Sequence, residues 1–191
     1  MKTLLVASLM TVATAAQADL TIFTGTFAPE AVGATGSGTL TMEYDSNIHT
    51  LAINATFAGL SGTTNNAHIH CCTVVPRAGT AGVALAQAGL LPGFPLGVSS
   101  GSYVRVIDLT QTSQYSAGFV TASGGTAAGA ELRLIDNLTS GQAYFNIHST
   151  TFGGGEIRSF VTAVPEPASY ALMALGLAAV GGIARRRRAA G

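Results

Sequence analysis

The sequence predicts a mainly β domain, an antiparallel sandwich or barrel with one short helix, set between a removable export leader and a membrane-spanning tail. Three observations carry this prediction. Short runs of β-forming residues alternate apolar with polar and are separated by Gly, Pro and Asn, which is the pattern of half-buried strands joined by turns. Only one segment, near residues 126–138, has helical spacing with caps. The two ends are apolar, but their polar flanks differ.

The leader is residues 1–18. Lys2 is its only charge, an apolar run follows from Leu4 to Val12, and small residues close it at Ala16-Gln17-Ala18. A basic start, a short apolar stretch and an A-x-A site make a secretory signal peptide, with cleavage expected between Ala18 and Asp19. The apolar run is too short to cross a bilayer core of roughly 30 Å.

Strands are expected at Leu20–Phe27, Gly38–Tyr44 and Ile48–Phe57. The second and third should form a hairpin about the turn Asp45-Ser46-Asn47, because Asp and Asn side chains can bond their own backbone. Leu51, Ile53, Ala55 and Phe57 would face inward. A short strand follows at Ala67–Cys72. Residues 73–100 hold Pro76, Pro92, Pro95 and five Gly, and read as a long loop with one strand near Gly82–Leu85. Tyr103–Ile107 is a strand. Thr126–Leu138 is the helix, capped by Thr126 and stopped at Gly141. Gln142–His148 and Glu156–Thr162 are the last strands, with Ala143, Phe145 and Ile147 inward.

The tail is residues 163–191. Pro165-Glu166-Pro167 breaks any regular element, because each proline lacks a donor and restricts its predecessor. Residues 168–184 carry no charge and, as a helix rising about 1.5 Å per residue, just reach across a membrane. Arg185, Arg186, Arg187 and Arg188 follow, and such a block holds that end on the cytoplasmic side. This tail resembles the PEP-CTERM sorting signal of bacterial exported proteins. The resemblance implies an exosortase-type membrane peptidase as partner, cutting near Pro165-Glu166-Pro167, with a membrane-anchored precursor and a body destined for the cell surface or the outside.

Between the ends, eight acids face four arginines and no lysine, so the near-neutral whole hides a mildly acidic body. That is a poor match for nucleic acid, whose phosphates need clustered positive charge. The sequence has no G-x-S-x-G elbow, no H-E-x-x-H and no phosphate loop, and the expectation is a protein that is not an enzyme.

Three segments together resemble the CHRD domain, named from the chordin family. They are Asn66-Ala67-His68-Ile69-His70, Gly141 to Ser149 with Tyr144, Asn146 and His148, and Gly154-Gly155-Glu156-Ile157-Arg158. The resemblance spans about residues 35–162, within a domain placed at 19–162, and departs from the family pattern at Cys71-Cys72. It implies an immunoglobulin-like β sandwich outside the cell, acting as a structural or binding module in a surface or matrix setting. Its partner would be an extracellular protein or polysaccharide, met through the loops, above all 73–100.

Strand alternation places His68 and His70 on one face, and Tyr144, Asn146 and His148 on one face of a second strand. If the two strands are neighbours, the three imidazoles and Glu156 converge as candidate ligands for Zn or Cu. The His-x-His strand is similar to that of copper/zinc superoxide dismutase, another sandwich, which needs more ligands. The only other histidine, His49, lies in the hairpin. The plainer reading is that these histidines make structural hydrogen bonds. An extracellular metal-binding, redox-active domain is therefore the alternative to the non-catalytic module, and no cofactor is required by the sequence. Cys71 and Cys72 admit four states: a disulfide between neighbours, a bridge between chains, metal ligation beside His70, or free thiols. An exported protein meets an oxidising compartment, which favours the vicinal disulfide.

Overall fold

The computed structural model describes residues 20–165, together with 175–177 and 180 in the tail. The expected signal peptide with its Ala18/Asp19 site, Glu166, Pro167 and Arg185 to Arg188 lie outside the described residues. Pro165 is exposed at the end of the last strand. Of the expected membrane helix, 175–177 and 180 are described, and they are helical and exposed. Among the described residues no helix is long and apolar enough to cross a membrane.

Among the described residues eight strands form, in chain order: β1 (Leu20–Pro29), β2 (Ser37–Asp45), β3 (Thr50–Ala58), β4 (Thr64–Cys71), β5 (Gly82–Leu85), β6 (Gly101–Asp108), β7 (Ala143–Ser149) and β8 (Ile157–Val164). Each contains or overlaps an expected strand. All pairings are antiparallel, and the order is β5-β4-β7-β8-β1-β2-β3-β6. The sequence predicted an antiparallel sandwich or barrel, with an immunoglobulin-like sandwich implied by the resemblance, and the structure has one antiparallel sheet curled over on itself. The strand that makes the difference is β8, which bonds along both edges. Its first half pairs with β7 from Ile157 to Phe160, and it pairs with β1 at Ile157–Arg158 and again at Val161–Val164. Where β8 passes from one half to the other it runs close to Gly25, at which a Cβ would sit 2.6 Å from the Phe160 carbonyl oxygen. Only glycine lets the two backbones approach so closely.

The alternation read from the sequence is the alternation seen. Leu40, Met42, Leu51, Ile53, Ala55 and Phe57 are buried in the first half of the sheet, and Ala67, Ile69, Phe145 and Ile147 in the second. Phe145 sits where the halves meet, edge-on to Phe27 at 5.5 Å between ring centroids and tilted against Phe94 at 6.1 Å. Burying an aromatic ring of this kind removes more apolar surface than any aliphatic neighbour does.

Within the described residues 20–165, two α-helices form rather than one. The expected helix is α2 (Ala127–Thr139). Thr126 caps it by accepting from the Gly129 N–H at 3.1 Å, and it lays Ala130, Leu134 and Leu138 on the core. The other, α1 (Ala117–Ala122), follows a 3₁₀ turn at Thr112–Gln114 and is capped by Ser116. At six residues it is too short for helical spacing to show in the sequence. Helix α2 is moored to the β2–β3 hairpin by buried Glu131, which accepts from the Tyr44 hydroxyl at 2.7 Å and meets His49 Nδ1 at 3.0 Å. His49 closes that hairpin at φ 54°, a left-handed conformation that few side chains other than Asn, Asp and His tolerate.

Candidate metal centre

Strands β4 and β7 are hydrogen-bonded neighbours, with His70 opposite Tyr144, His68 opposite Asn146 and Asn66 opposite His148. Period-two alternation therefore gathers His68, His70, Tyr144, Asn146 and His148 on the face turned away from the Phe145 core. In an open sheet that face would be wet. Here it is roofed by loop backbone, and His68 and His148 keep only 6% and 8% of their surface exposed.

The roof also orients the rings. The Nδ1 of each histidine meets a backbone carbonyl: Gly89 for His68 at 3.2 Å, Ala81 for His70 at 2.8 Å and Gly153 for His148 at 2.9 Å. A carbonyl oxygen only accepts, so each Nδ1 carries a hydrogen, which in the neutral ring leaves the lone pair on Nε2. The three ligand atoms lie within 4.8 Å of one another. His68 Nε2 and His148 Nε2 stand 2.8 Å apart, and His70 Nε2 is buried with no hydrogen-bond partner. The spacing brackets that of imidazoles around one ion, since nitrogens bound at about 2.0–2.1 Å are roughly 3.4 Å from each other.

Burial disfavours the protonated forms of His68 and His70. Burial pulls the His68 imidazole down from 6.5 to about 4, and the neighbouring His70 adds to the effect against the opposing pull of the Gly89 carbonyl. Burial also lowers His70, with the Ala81 carbonyl opposing and His148 and Arg158 assisting. The facing His68 and His148 nitrogens stand at hydrogen-bond distance, 2.8 Å apart, so a proton or a metal cation between them would be shared by both rings.

Tyr144 stacks on His70 with ring centroids 4.8 Å apart, and its hydroxyl accepts from the Ala81 N–H at 3.3 Å. The Arg158 guanidinium lies over Tyr144 and Phe160, donates to the Gly79 carbonyl at 2.7 Å and pairs with Glu30 at 3.4 Å. Asn146 also donates to Glu30. This wall ties the loop at residues 79–82 to β7 and β8, and so fixes the carbonyl that orients His70.

The CHRD domain model matches residues 17–161, and that of the PEP-CTERM protein-sorting motif matches residues 163–188. The chain belongs to the CHRD domain family. Its sorting motif marks it as an exported protein, directed to the cell surface and processed by an exosortase, a membrane protein. No curated protein and no solved structure matches it.

Within this CHRD domain, the segments Asn66–His70 and Gly141–Ser149 are the two strands that carry the histidines. Glu156, expected among the ligands, does not join them. It precedes β8 in a loop, where strand alternation does not govern side-chain direction. Its carboxylate is fully buried and accepts from the Ser61 N–H at 2.5 Å. Burial pushes its acidity toward the neutral form, but hydrogen bonds from Ser149, Ser61 and Gly62 outweigh that and hold it below the usual carboxylate range. Glu156 thus pins the loop around residue 61 beside β7, while Arg158 pairs with Glu30.

Cys71 and Cys72 are bridged to each other across a cis peptide bond, with Cys71 in the core at the end of β4. Neither sulfur is then offered as a thiolate ligand. The elements that sequence reasoning missed are the three carbonyls. A backbone oxygen has no residue signature, although Gly82, Gly89 and Gly153 at or beside those positions mark the turns that present them.

Proposed function

We propose that this exported CHRD domain is a metal-binding module of the cell surface that holds one Zn or Cu ion on the Nε2 atoms of His68, His70 and His148. One observation carries the reading: three imidazoles, two buried and one half-buried, each with its Nδ1 at a backbone carbonyl, bring a ligand nitrogen apiece to within 4.8 Å of one another. Outer hydrogen bonds of this kind are what orient histidine ligands in metal sites. The role is binding rather than catalysis. With every Nδ1 already donating to a carbonyl, none of the three rings has a second nitrogen free to relay a proton.

Elemental analysis of the full-length chain, purified without a histidine tag, tests this. Near-stoichiometric metal is expected, lost in the His70→Ala, His148→Ala double variant. Adding metal at about a thousandfold over Kd should stabilise the stripped protein by roughly 4 kcal/mol. A metal-free protein whose melting temperature ignores added Zn and Cu sinks the proposal.

A second reading, docking of an extracellular protein or polysaccharide, is favoured by Val74 and Val75, large apolar side chains left exposed at the start of the 73–100 loop. The rest of that loop is less free for a partner. It contains β5, buries Leu91 and Phe94 in the core, and supplies the Ala81 and Gly89 carbonyls. Processing has its own check. Replacing Pro165 and Glu166 by Ala should leave the full-length chain in the membrane fraction, and unaltered processing would show that Pro-Glu-Pro is not read.

A further inference from the structure

We infer that the ion this site is built for is monovalent copper, Cu(I), held three-coordinate by His68, His70 and His148. The inference rests on the metal-binding reading above and adds the charge and identity of the ion. It follows from what surrounds the three nitrogens.

The ligand set is wholly neutral. Among the described residues, the cluster of candidate ligands contains no carboxylate and no thiolate. Glu156 is held by Ser61 and its neighbours, Glu30 by Arg158 and Asn146, and both cysteine sulfurs by their bridge. The outer hydrogen bonds are neutral too. Each Nδ1 donates to a carbonyl, where a carboxylate would add negative charge and raise the basicity of the ligand. The one ion pair in the wall, Arg158 with Glu30, is neutral overall.

Nothing in the cluster therefore offsets the charge of a bound ion, and two of its three residues are buried with the third half-buried. The cost of moving a charge out of water grows as its square, so a dication meets about four times the penalty of a monocation here. Coordination number points the same way. Zn(II) takes four ligands, and where a protein gives three it adds water or substrate. His70 Nε2 is fully buried, and the other two rings are nearly so. A closed trio of imidazoles suits Cu(I), which is satisfied by three nitrogen donors. Imidazole is also a donor that copper accepts readily.

The test uses the full-length chain in mild detergent, untagged, stripped with chelator and handled without oxygen. Cu(I), kept reduced by ascorbate, is titrated against a coloured Cu(I) chelator, and Zn(II) against a zinc dye. We expect one Cu(I) per chain, bound about a thousandfold more tightly than Zn(II). The bound copper should be silent in electron paramagnetic resonance, and X-ray absorption should show nitrogen neighbours and no sulfur. His148→Gln should weaken Cu(I) binding by at least about a hundredfold, beyond the effect usual for an outer hydrogen-bond partner, while His49→Gln, outside the cluster, leaves it unchanged. Zn(II) binding as tightly as Cu(I), or copper held as Cu(II) in the presence of ascorbate, would overturn this inference and leave metal binding standing. Binding of neither ion would overturn both. The wild-type competition decides the matter even if a variant does not fold.

Discussion

Replacing His68 by Gln should flatten the loss of stability in acid, measured on the metal-free chain. His68 is buried against His70, His148 and the Gly89 carbonyl, and its imidazole is lowered from 6.5 to about 4, burial being the largest cause. The unfolded chain takes up a proton at this residue below about pH 6.5, and the folded chain only near pH 4. Between those limits the unfolded state binds more protons, so stability falls as the pH falls. The contribution is fully present above pH 6.5 and is gone below pH 4. At about 1.4 kcal/mol per pH unit, the window is worth roughly 3 kcal/mol. That is a sizeable part of the ~5–15 kcal/mol that holds a typical domain together. Gln can still donate to the Gly89 carbonyl but does not titrate. Urea unfolding with chelator present, at several values between pH 7 and pH 4.5, should show the acid loss reduced by about 2 kcal/mol in His68→Gln. His70, also lowered by burial, gives both proteins a residual slope. Parallel acid limbs in the two proteins would refute the claim that this imidazole is buried and neutral.

Two further outcomes are expected. Glu131→Ala removes the acceptor for Tyr44 and His49 and should cost about 1.5–3 kcal/mol in urea unfolding, because the carboxylate receives charge-assisted bonds in a buried place; a change below about 0.5 kcal/mol would mean α2 is not moored there. Gly38→Ala drives a Cβ into the Thr56 carbonyl, with Phe57 Cα at 2.9 Å, and should destabilise by more than about 2 kcal/mol, whereas Gly118→Ala in α1 meets open space and should stabilise by about 0.5–1 kcal/mol; equal melting temperatures for the two variants would contradict the packing described.

By itself the sequence determined the strands, their inward faces, helix α2 with its Thr126 cap and the polarity of the two ends. These are local matters. Alternation along Leu51, Ile53, Ala55 and Phe57, or a threonine before a helical period, expresses a preference that neighbouring residues settle among themselves. The His-x-His strand and the Tyr-x-Asn-x-His strand were legible for the same reason, as faces. Their meeting was not, because strand order is decided by contacts between residues far apart in the chain. Tertiary structure alone decided that β4 lies against β7, that β8 joins both halves into one curled sheet, and that Glu156 turns to Ser61 instead of the histidines. It also decided what each imidazole is. The Ala81, Gly89 and Gly153 carbonyls orient the rings, and burial under those loops disfavours the protonated forms of His68 and His70, so a polar strand face becomes a set of ligands only when the roof closes over it.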